Sequence, residues 1–277
     1  MNEDPRAAVS GDQRVSEPVV EFRNVTVAFD GPPVLDGISF TVGPRETRVL
    51  LGPAGVGKSV LLKTTIGLVC PESGQVLLFG ENIARMRENE LFPLRLRTGM
   101  VFQEGALFDS LNVRDNVAYQ LIQEEVADDE IDVRVREALR FVGMETTFSL
   151  FPGNLSGGMR RRVAIARALI RQPELLLYDS PTGGLDPVTS TTIIELIVKQ
   201  RDFYRTPSIL VTHRLQDAFV MCTHKFESES ESMVRLPEGE FDPNTTFLVV
   251  NEGRLIFDGS LHDLVHSDDP FVREFLD

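Results

Sequence analysis

A chain of 277 residues with 42% hydrophobic content can bury one substantial core and lies near the upper end of a single domain. The 28 basic and 42 acidic side chains leave a formal net charge of −14, which argues against a surface built to neutralise nucleic-acid phosphates. Cys70 and Cys222 lack metal-ligand spacing, so neither a disulfide framework nor a cysteine zinc site is expected, and the reducing cytoplasm is the expected compartment. No run approaches the ~20 apolar residues of a bilayer span. Met1 to Pro18 has the polar composition of a solvated, disordered tail with no apolar leader, so the fold is expected from Val19 onward.

Alternation over Val20 to Val25 and Val27 to Phe29 predicts half-buried antiparallel strands bounded by the turn Asp30-Gly31-Pro32-Pro33, with a second pair around Gly37 to Val42. Thr47 to Leu51 reads as a buried strand that leads through a glycine-rich turn into a helix over Lys58 to Leu68. Gly74 to Gly80 reads as a further strand, and Glu81 to Arg97 is charged and mixed. From about Gly105 to Leu155 the pattern is mainly helical, with Val133, Ala138, Leu139 and Val142 as periodic apolar positions. Helix resumes over Ser156 to Arg171, Pro173 breaks it, and the strand from Leu175 ends at Asp179. A helix over Val188 to Phe203 and a strand over Ser208 to Thr212, ending at His213, follow. Residues 227–244, opening Glu227-Ser228-Glu229-Ser230-Glu231-Ser232, read as an acidic solvent loop, with a partner-docking loop as the alternative, before strands Phe247 to Val250 and Leu255 to Phe257. Short apolar strands separated by helices predict a mostly parallel α/β sheet. Ligands of such sheets sit at the strands' carboxyl ends, where the glycine loop, Asp179 and His213 all fall.

Gly52-Pro53-Ala54-Gly55-Val56-Gly57-Lys58-Ser59 fits the phosphate-loop pattern, in which backbone N–H groups wrap phosphates, Lys58 meets the β and γ oxygens and Ser59 ligates Mg²⁺. Asp179 is the matching carboxylate for that ion and its waters. Leu155-Ser156-Gly157-Gly158-Met159 opens a helix whose free N–H groups and positive dipole end suit an anion, and Gly157 and Gly158 allow a phosphate to approach. Arg160, Arg161 and Arg162 read as a solvated helix face, one of them contributing to the phosphate's field.

With these motifs in this order, Val19 to Asp258 resembles the ABC transporter ATPases. Phe29 matches the aromatic that stacks on adenine, Gly52 to Ser59 with the adjoining Val60 the Walker A nucleotide site, and Gln103 the Q-loop. Leu155 to Met159 matches the signature, Leu175 to Asp179 Walker B, Gly184-Leu185-Asp186 the D-loop and His213 the switch histidine. The plain alternatives are a core Phe29, a surface amide at Gln103 and a strand-end cap at His213. The resemblance implies a RecA-like P-loop NTPase core with an antiparallel β subdomain and a helical subdomain at about 105–160, followed by a C-terminal extension at about 260–277. It implies ATP, with Mg²⁺ held by Ser59, Gln103 and Asp179, clamped in a homodimer between one copy's phosphate loop and the other's Ser156, Gly157, Gly158 and Asp186.

Val101 to Leu111 and the tail Pro270 to Asp277 resemble the Mla and Mce type of lipid-transport ATPases. That group implies a peripheral position on the inner face of the cell membrane, transmembrane permease subunits, an MCE-type substrate-binding protein and a hydrophobic cargo such as phospholipid, with no nucleic-acid partner. Leu107 and Phe108 are expected to form part of the surface that receives the permease's coupling helix, or else to pack inside the helical subdomain. Soluble cassettes of DNA repair or translation fit less well, because long coiled coils and a second cassette are missing.

One position departs from the pattern: Ser180 stands where most hydrolytic cassettes carry Glu after the Walker B Asp. A serine hydroxyl is too weak a base to deprotonate water, and loss of a positioned base costs about 10²- to 10⁴-fold in rate. Ser180 can still orient water, with His213, Gln103 and Lys58 completing the catalytic set. Two readings follow: a slow ATPase that drives a transporter, or an ATP-binding switch with little hydrolysis.

Overall fold

The computed structural model describes residues 17–276, so residues 1–16 of the expected disordered tail, and Asp277, lie outside the described residues. The first strand, β1 (Val20–Val27), pairs antiparallel with β2 (Leu35–Val42), and Phe22 lies opposite Phe40 with ring centroids 4.7 Å apart. β3 (Thr47–Leu51) is buried at every position and feeds α1 (Lys58–Thr65). β4 (Ser73–Leu78) then takes the free edge of β1, and β5 (Glu81–Asn82) completes a sheet of order β2-β1-β4-β5. The charged stretch that carries no period in the sequence contains α2 (Glu88–Leu96), where Pro93 and the charged Glu88, Glu90 and Arg95 obscure the buried pair Leu91 and Leu94.

After β6 (Thr98–Val101) the chain leaves the sheet and forms α3 (Val113–Gln123) and α4 (Asp128–Phe141) before α5 (Gly157–Leu169) returns it. The alternation β7 (Leu175–Asp179), α6 (Pro187–Tyr204), β8 (Ser208–Val211) and α7 (Leu215–Thr223) completes the parallel part. A hairpin of β9 (His224–Glu227) and β10 (Ser232–Arg235) precedes β11 (Thr245–Asn251), β12 (Arg254–Gly259), α8 (Leu261–Val265) and α9 (Pro270–Leu276). The large sheet runs β12-β11-β3-β8-β7-β6, parallel throughout except for β11 with β12. Among the described residues no helix is long and apolar enough to cross a membrane.

Each buried strand feeds two cores with its period of two. Val49, Leu51, Leu176, Tyr178, Leu210, Phe247 and Val249 face the helices α3 to α7, whereas Leu50, Leu175, Leu177, Ile209, Val211, Leu248 and Val250 face α1 and the small sheet. Both faces are covered, which is why these strands read as unbroken apolar runs in the sequence.

Two expectations from the sequence are corrected here. Val133 is 57% exposed; the apolar stripe of α4 is Ile131, Val135 and Leu139, spaced by four residues. The acidic stretch beginning at Glu227 is not simply a solvent loop, since β10 pairs with β9 in the register Ser232 to Glu227 through Arg235 to His224. The hairpin lies on α6: Phe226 N–H donates to Asp202 Oδ2 at 2.7 Å, and Met233 N–H donates to Glu195 Oε1 at 3.2 Å. Alternating Glu and Ser at the turn mask the Phe226 and Met233 positions that pack on the core. For the two faces of α4, Leu139→Ala is expected to lower unfolding free energy by about 2–5 kcal/mol and Val133→Ala by no more than about 0.5 kcal/mol, as read by urea denaturation.

Candidate active site

The phosphate loop depends on two backbone conformations that only glycine takes cheaply. Gly52 has φ of 146°, and a Cβ there would lie 2.3 Å from the carbonyl oxygen of Val250 on the neighbouring strand. Gly57, at φ 96°, is the N-cap of α1, and a Cβ would meet Val34 O at 2.8 Å. The loop therefore turns sharply out of β3 and α1 starts at Lys58. The buried Lys58 ammonium donates to Gly52 O at 2.7 Å and Pro53 O at 2.6 Å. Burial draws its pKa below the usual lysine value, and the Asp179 carboxylate opposes that shift. Ala54 and Gly55 are exposed at the loop's crest, whereas Val56 and Val60 pack partly on the core beneath the small sheet.

Ser59 Oγ donates to Asp179 Oδ1 at 2.9 Å, joining the start of α1 to the end of β7 across the intervening β8. Two adjacent hard oxygens suit Mg²⁺, which keeps several waters and needs few protein ligands. Gln103 is exposed beyond β6, and its Nε2 lies 3.4 Å from where a Cβ on Gly183 would stand, so its amide packs at the loop that follows Ser180. Ser180 itself is buried at φ 47°, a left-handed conformation uncommon for a residue with a side chain and concentrated at functional sites. Its N–H donates to Val211 O at 3.0 Å and its carbonyl accepts from Gly183 N–H at 2.9 Å, which closes a tight turn beside β8. His213, one residue beyond Thr212, is exposed. Phe29 is 60% exposed at the end of β1, so the core alternative for it does not hold.

The signature helix sits elsewhere. Ser156 caps α5, accepting from Met159 N–H at 3.2 Å, and Asp186 caps α6, accepting from the N–H groups of Val188 at 3.1 Å and Thr189 at 3.0 Å. The bonds to Thr189 hold the Asp186 carboxyl below the usual carboxylate range. Gly157 is exposed, but a Cβ on the buried Gly158 would fall 2.3 Å from Thr189 Cγ2. From the sequence both glycines serve phosphate approach; Gly158 is required by the close crossing of α5 and α6. The site residues thus fall into three groups: Lys58, Ser59 and Asp179; Gln103 with Ser180; and Ser156, Gly157 and Gly158 with Asp186.

Arg161 corrects the expectation of a solvated arginine face. It is 4% exposed, donating to Phe102 O at 3.0 Å and Gly183 O at 3.2 Å, so it pins the Q-loop and the loop after Ser180 to α5. Its position three residues after Gly158 and four before Ile165, both buried, is the sequence signal that places it inward. Asn116 is a second residue that the motifs do not reveal. Fully buried, it accepts from Phe108 N–H at 2.8 Å and donates to Phe108 O at 3.0 Å and Leu111 O at 2.8 Å, fixing the loop before α3. Leu107 packs partly on the helical core, whereas Phe108 is 44% exposed and its ring lies against that of Tyr119, tilted by 34° with centroids 4.7 Å apart. The Phe108 and Tyr119 rings border a groove of about 290 Å³ that also involves Phe102 and Arg167.

Residues 35–183 match the family model described as ABC transporter. The chain is 32% identical to the intermembrane phospholipid transport system ATP-binding protein MlaF of Escherichia coli K12, covering 94% of this chain and 88% of that one. It is 35% identical to the chloroplastic protein TRIGALACTOSYLDIACYLGLYCEROL 3 of Arabidopsis thaliana, over 96% of this chain and 75% of the relative. The probable ribonucleotide transport ATP-binding protein mkl of Mycobacterium leprae is 34% identical, with 98% and 72% covered. Among solved structures, the dimeric post-hydrolysis state of the ATP-binding cassette MJ0796 bound to ADP and Pi superposes with a TM-score of 0.73 at 26% identity, covering 87% of this chain and 98% of that one. CbiO1 of Clostridium perfringens, part of a cbiONQ transporter complex, gives 0.75 at 27% identity, with 94% of each chain covered. The chain belongs to the ABC transporter family. Within it, the protein is the ATP-binding motor subunit, an ATPase with the mixed α/β cassette fold.

The Gly158 crossing can be tested directly. Gly158→Ala is expected to destabilise the protein by about 1–3 kcal/mol through overpacking. Adding Thr189→Ser, which removes the clashing methyl, restores most of the loss in a denaturation series.

Proposed function

We propose that two copies of the chain close face to face on ATP and drive a membrane transporter for phospholipid or a similar hydrophobic substrate. The observation that carries the dimer is the separation of two incomplete anion sites. Lys58, Ser59 and Asp179 form one cluster, while the capped start of α5 beside Asp186 forms another on a different pair of elements. A second copy supplies the opposing half to each, and the dimeric state named for MJ0796 supports this.

In the closed site Lys58 leaves the Gly52 and Pro53 carbonyls for the β and γ oxygens, an exchange favoured because a buried ammonium gains more from phosphate charge than from neutral carbonyls. Ser59 and Asp179, with Gln103, would hold Mg²⁺, which when bound would supply charge neutralisation at the phosphates. Phe29, exposed in the turn between β1 and β2, stacks on adenine. Gly52 to Val60 and the N–H groups of Ser156, Gly157 and Gly158 bind the phosphates from the two sides. Ser180 orients water, and His213 bonds the γ-phosphate. Because the hydroxyl is no base, catalysis rests on positioning and charge, and turnover is slow. The same Ser180 favours a second reading, in which ATP binding alone switches a partner.

Phosphate release from the purified permease complex is expected to be measurable. Ser180→Glu should raise it by about tenfold or more, and Lys58→Ala should abolish ATP binding. Absence of turnover in the unsubstituted complex would leave the switch reading standing.

The lipid reading is supported by the phospholipid transport named for MlaF and by the Val101 to Leu111 and Pro270 to Asp277 stretches. The ribonucleotide transport named for mkl is the competing cargo. The chain then sits on the inner face of the membrane with permease subunits and an MCE-type protein. The helical subdomain at about 105–160 receives the permease in the Phe108–Tyr119 groove. Phe108→Asp should detach the permease on copurification and leave ATP binding intact; a retained complex sinks that assignment.

A further inference from the structure

Behind His213 runs a polar bridge, buried except at Arg214, that none of the nucleotide motifs accounts for. Asp217, in the first turn of α7, is 5% exposed, and its Oδ2 accepts from the buried hydroxyl of Thr182, two residues after Ser180. The same oxygen accepts from Thr212 Oγ1 at 3.4 Å, and Oδ1 lies 3.6 Å from Arg214 Nε. Arg214 in turn donates from Nη1 to Ser190 Oγ at 2.7 Å, and its backbone N–H donates to Thr212 Oγ1 at 3.0 Å. Ser190 N–H closes the path by donating to Asp186 O at 2.9 Å. Thr182, Thr212 and Ser190 are each 1% exposed.

The bridge therefore joins three segments: the turn after Ser180, the residues on both sides of His213, and the first turn of the helix that Asp186 caps. The contact joins a buried carboxylate to a guanidinium whose side chain is 24% exposed, and it gives little net stability, because desolvation of Asp217 and solvent screening of Arg214 offset the attraction. What the network gives is fixed geometry, since the Asp217 carboxylate holds two buried hydroxyls and the guanidinium beside it is pinned by its hydrogen bond to Ser190 Oγ. Geometry is also what a site without a carboxylate at position 180 requires: a misplacement of about 1 Å costs on the order of 10²-fold in rate.

We propose that Asp217 and Arg214 are positioning residues for ATP hydrolysis, which lock the Ser180 turn, the His213 loop and the Asp186 helix into one body. This rests on the hydrolysis reading above and extends it to residues outside the nucleotide motifs. Arg214→Ala, Arg214→Lys, Asp217→Asn and the milder Ser190→Ala are compared in the full permease complex. The readouts are kcat, KM for ATP, thermal midpoint, and amide hydrogen exchange over residues 183–192 and 212–217. Arg214→Ala and Asp217→Asn are expected to lower kcat at least tenfold with KM within twofold, Arg214→Lys to recover part of that loss, and exchange in both segments to accelerate together. A rise in KM at unchanged kcat, or faster exchange in one segment alone, would overturn the bridge. Should the unsubstituted complex release no phosphate, the hydrolysis reading fails, and the joint or separate response of the two segments still decides whether the bridge exists.

Discussion

The hydrogen bond from Ser59 to Asp179 is the contact on which the rest of the site depends. It joins the first turn of α1 to the last residue of β7, two elements that are 120 residues apart in the chain. Its existence requires the order β3-β8-β7, because only then do the phosphate loop and the acidic strand end project from the same edge with one strand between them. That order is in turn held by strands with apolar side chains on both faces, so a shift of one residue in any register would exchange the two cores.

Lys58 shows how the fold prepares charge for a ligand. Its ammonium is taken out of water, which lowers its pKa, and it is held by two carbonyls of its own loop. Carbonyl dipoles satisfy the three donors only partly, so the cluster is poised to accept a strongly charged group. Gly52 and Gly57 make this possible by letting the backbone pass within van der Waals limits of Val250 and Val34.

The helical lobe is tied to this centre through α5. At its start Ser156 caps the helix and Gly158 lets it cross α6 closely; one turn on, Arg161 grips the backbone of Phe102 and Gly183. Displacement of α5 therefore moves the loops carrying Gln103 and Ser180. Asn116 and Phe108 extend the same lobe towards the groove at the far side of the Q-loop, so a body seated there is mechanically continuous with the phosphate end of the sheet.

The local chemistry was legible in the chain. Gly52 to Ser59 and the cap at Ser156 are contiguous patterns whose residues act on their own backbone, and the all-apolar strands, one of them ending at Asp179, announce a covered parallel sheet. Boundaries held to within a residue or two for α5, β7 and α6, where Ser156, Pro173 and Asp186 mark them, whereas the helix expected to reach Leu68 ends at Thr65. What the sequence could not supply was the identity of partners distant along the chain. Arg161 looks like its neighbours Arg160 and Arg162, and only the position of Phe102 and Gly183 makes it a buried clamp. Gly158 reads as room for phosphate until Thr189 occupies that space. The Glu and Ser residues near 227–232 read as solvent loop because composition outweighs a short alternation, and α6 supplies the surface that makes it a hairpin. Spacing along one strand or helix is set by bonds every residue carries, so it is written in the sequence; packing between elements depends on the sum of many weak contacts, and only the assembled fold decides it.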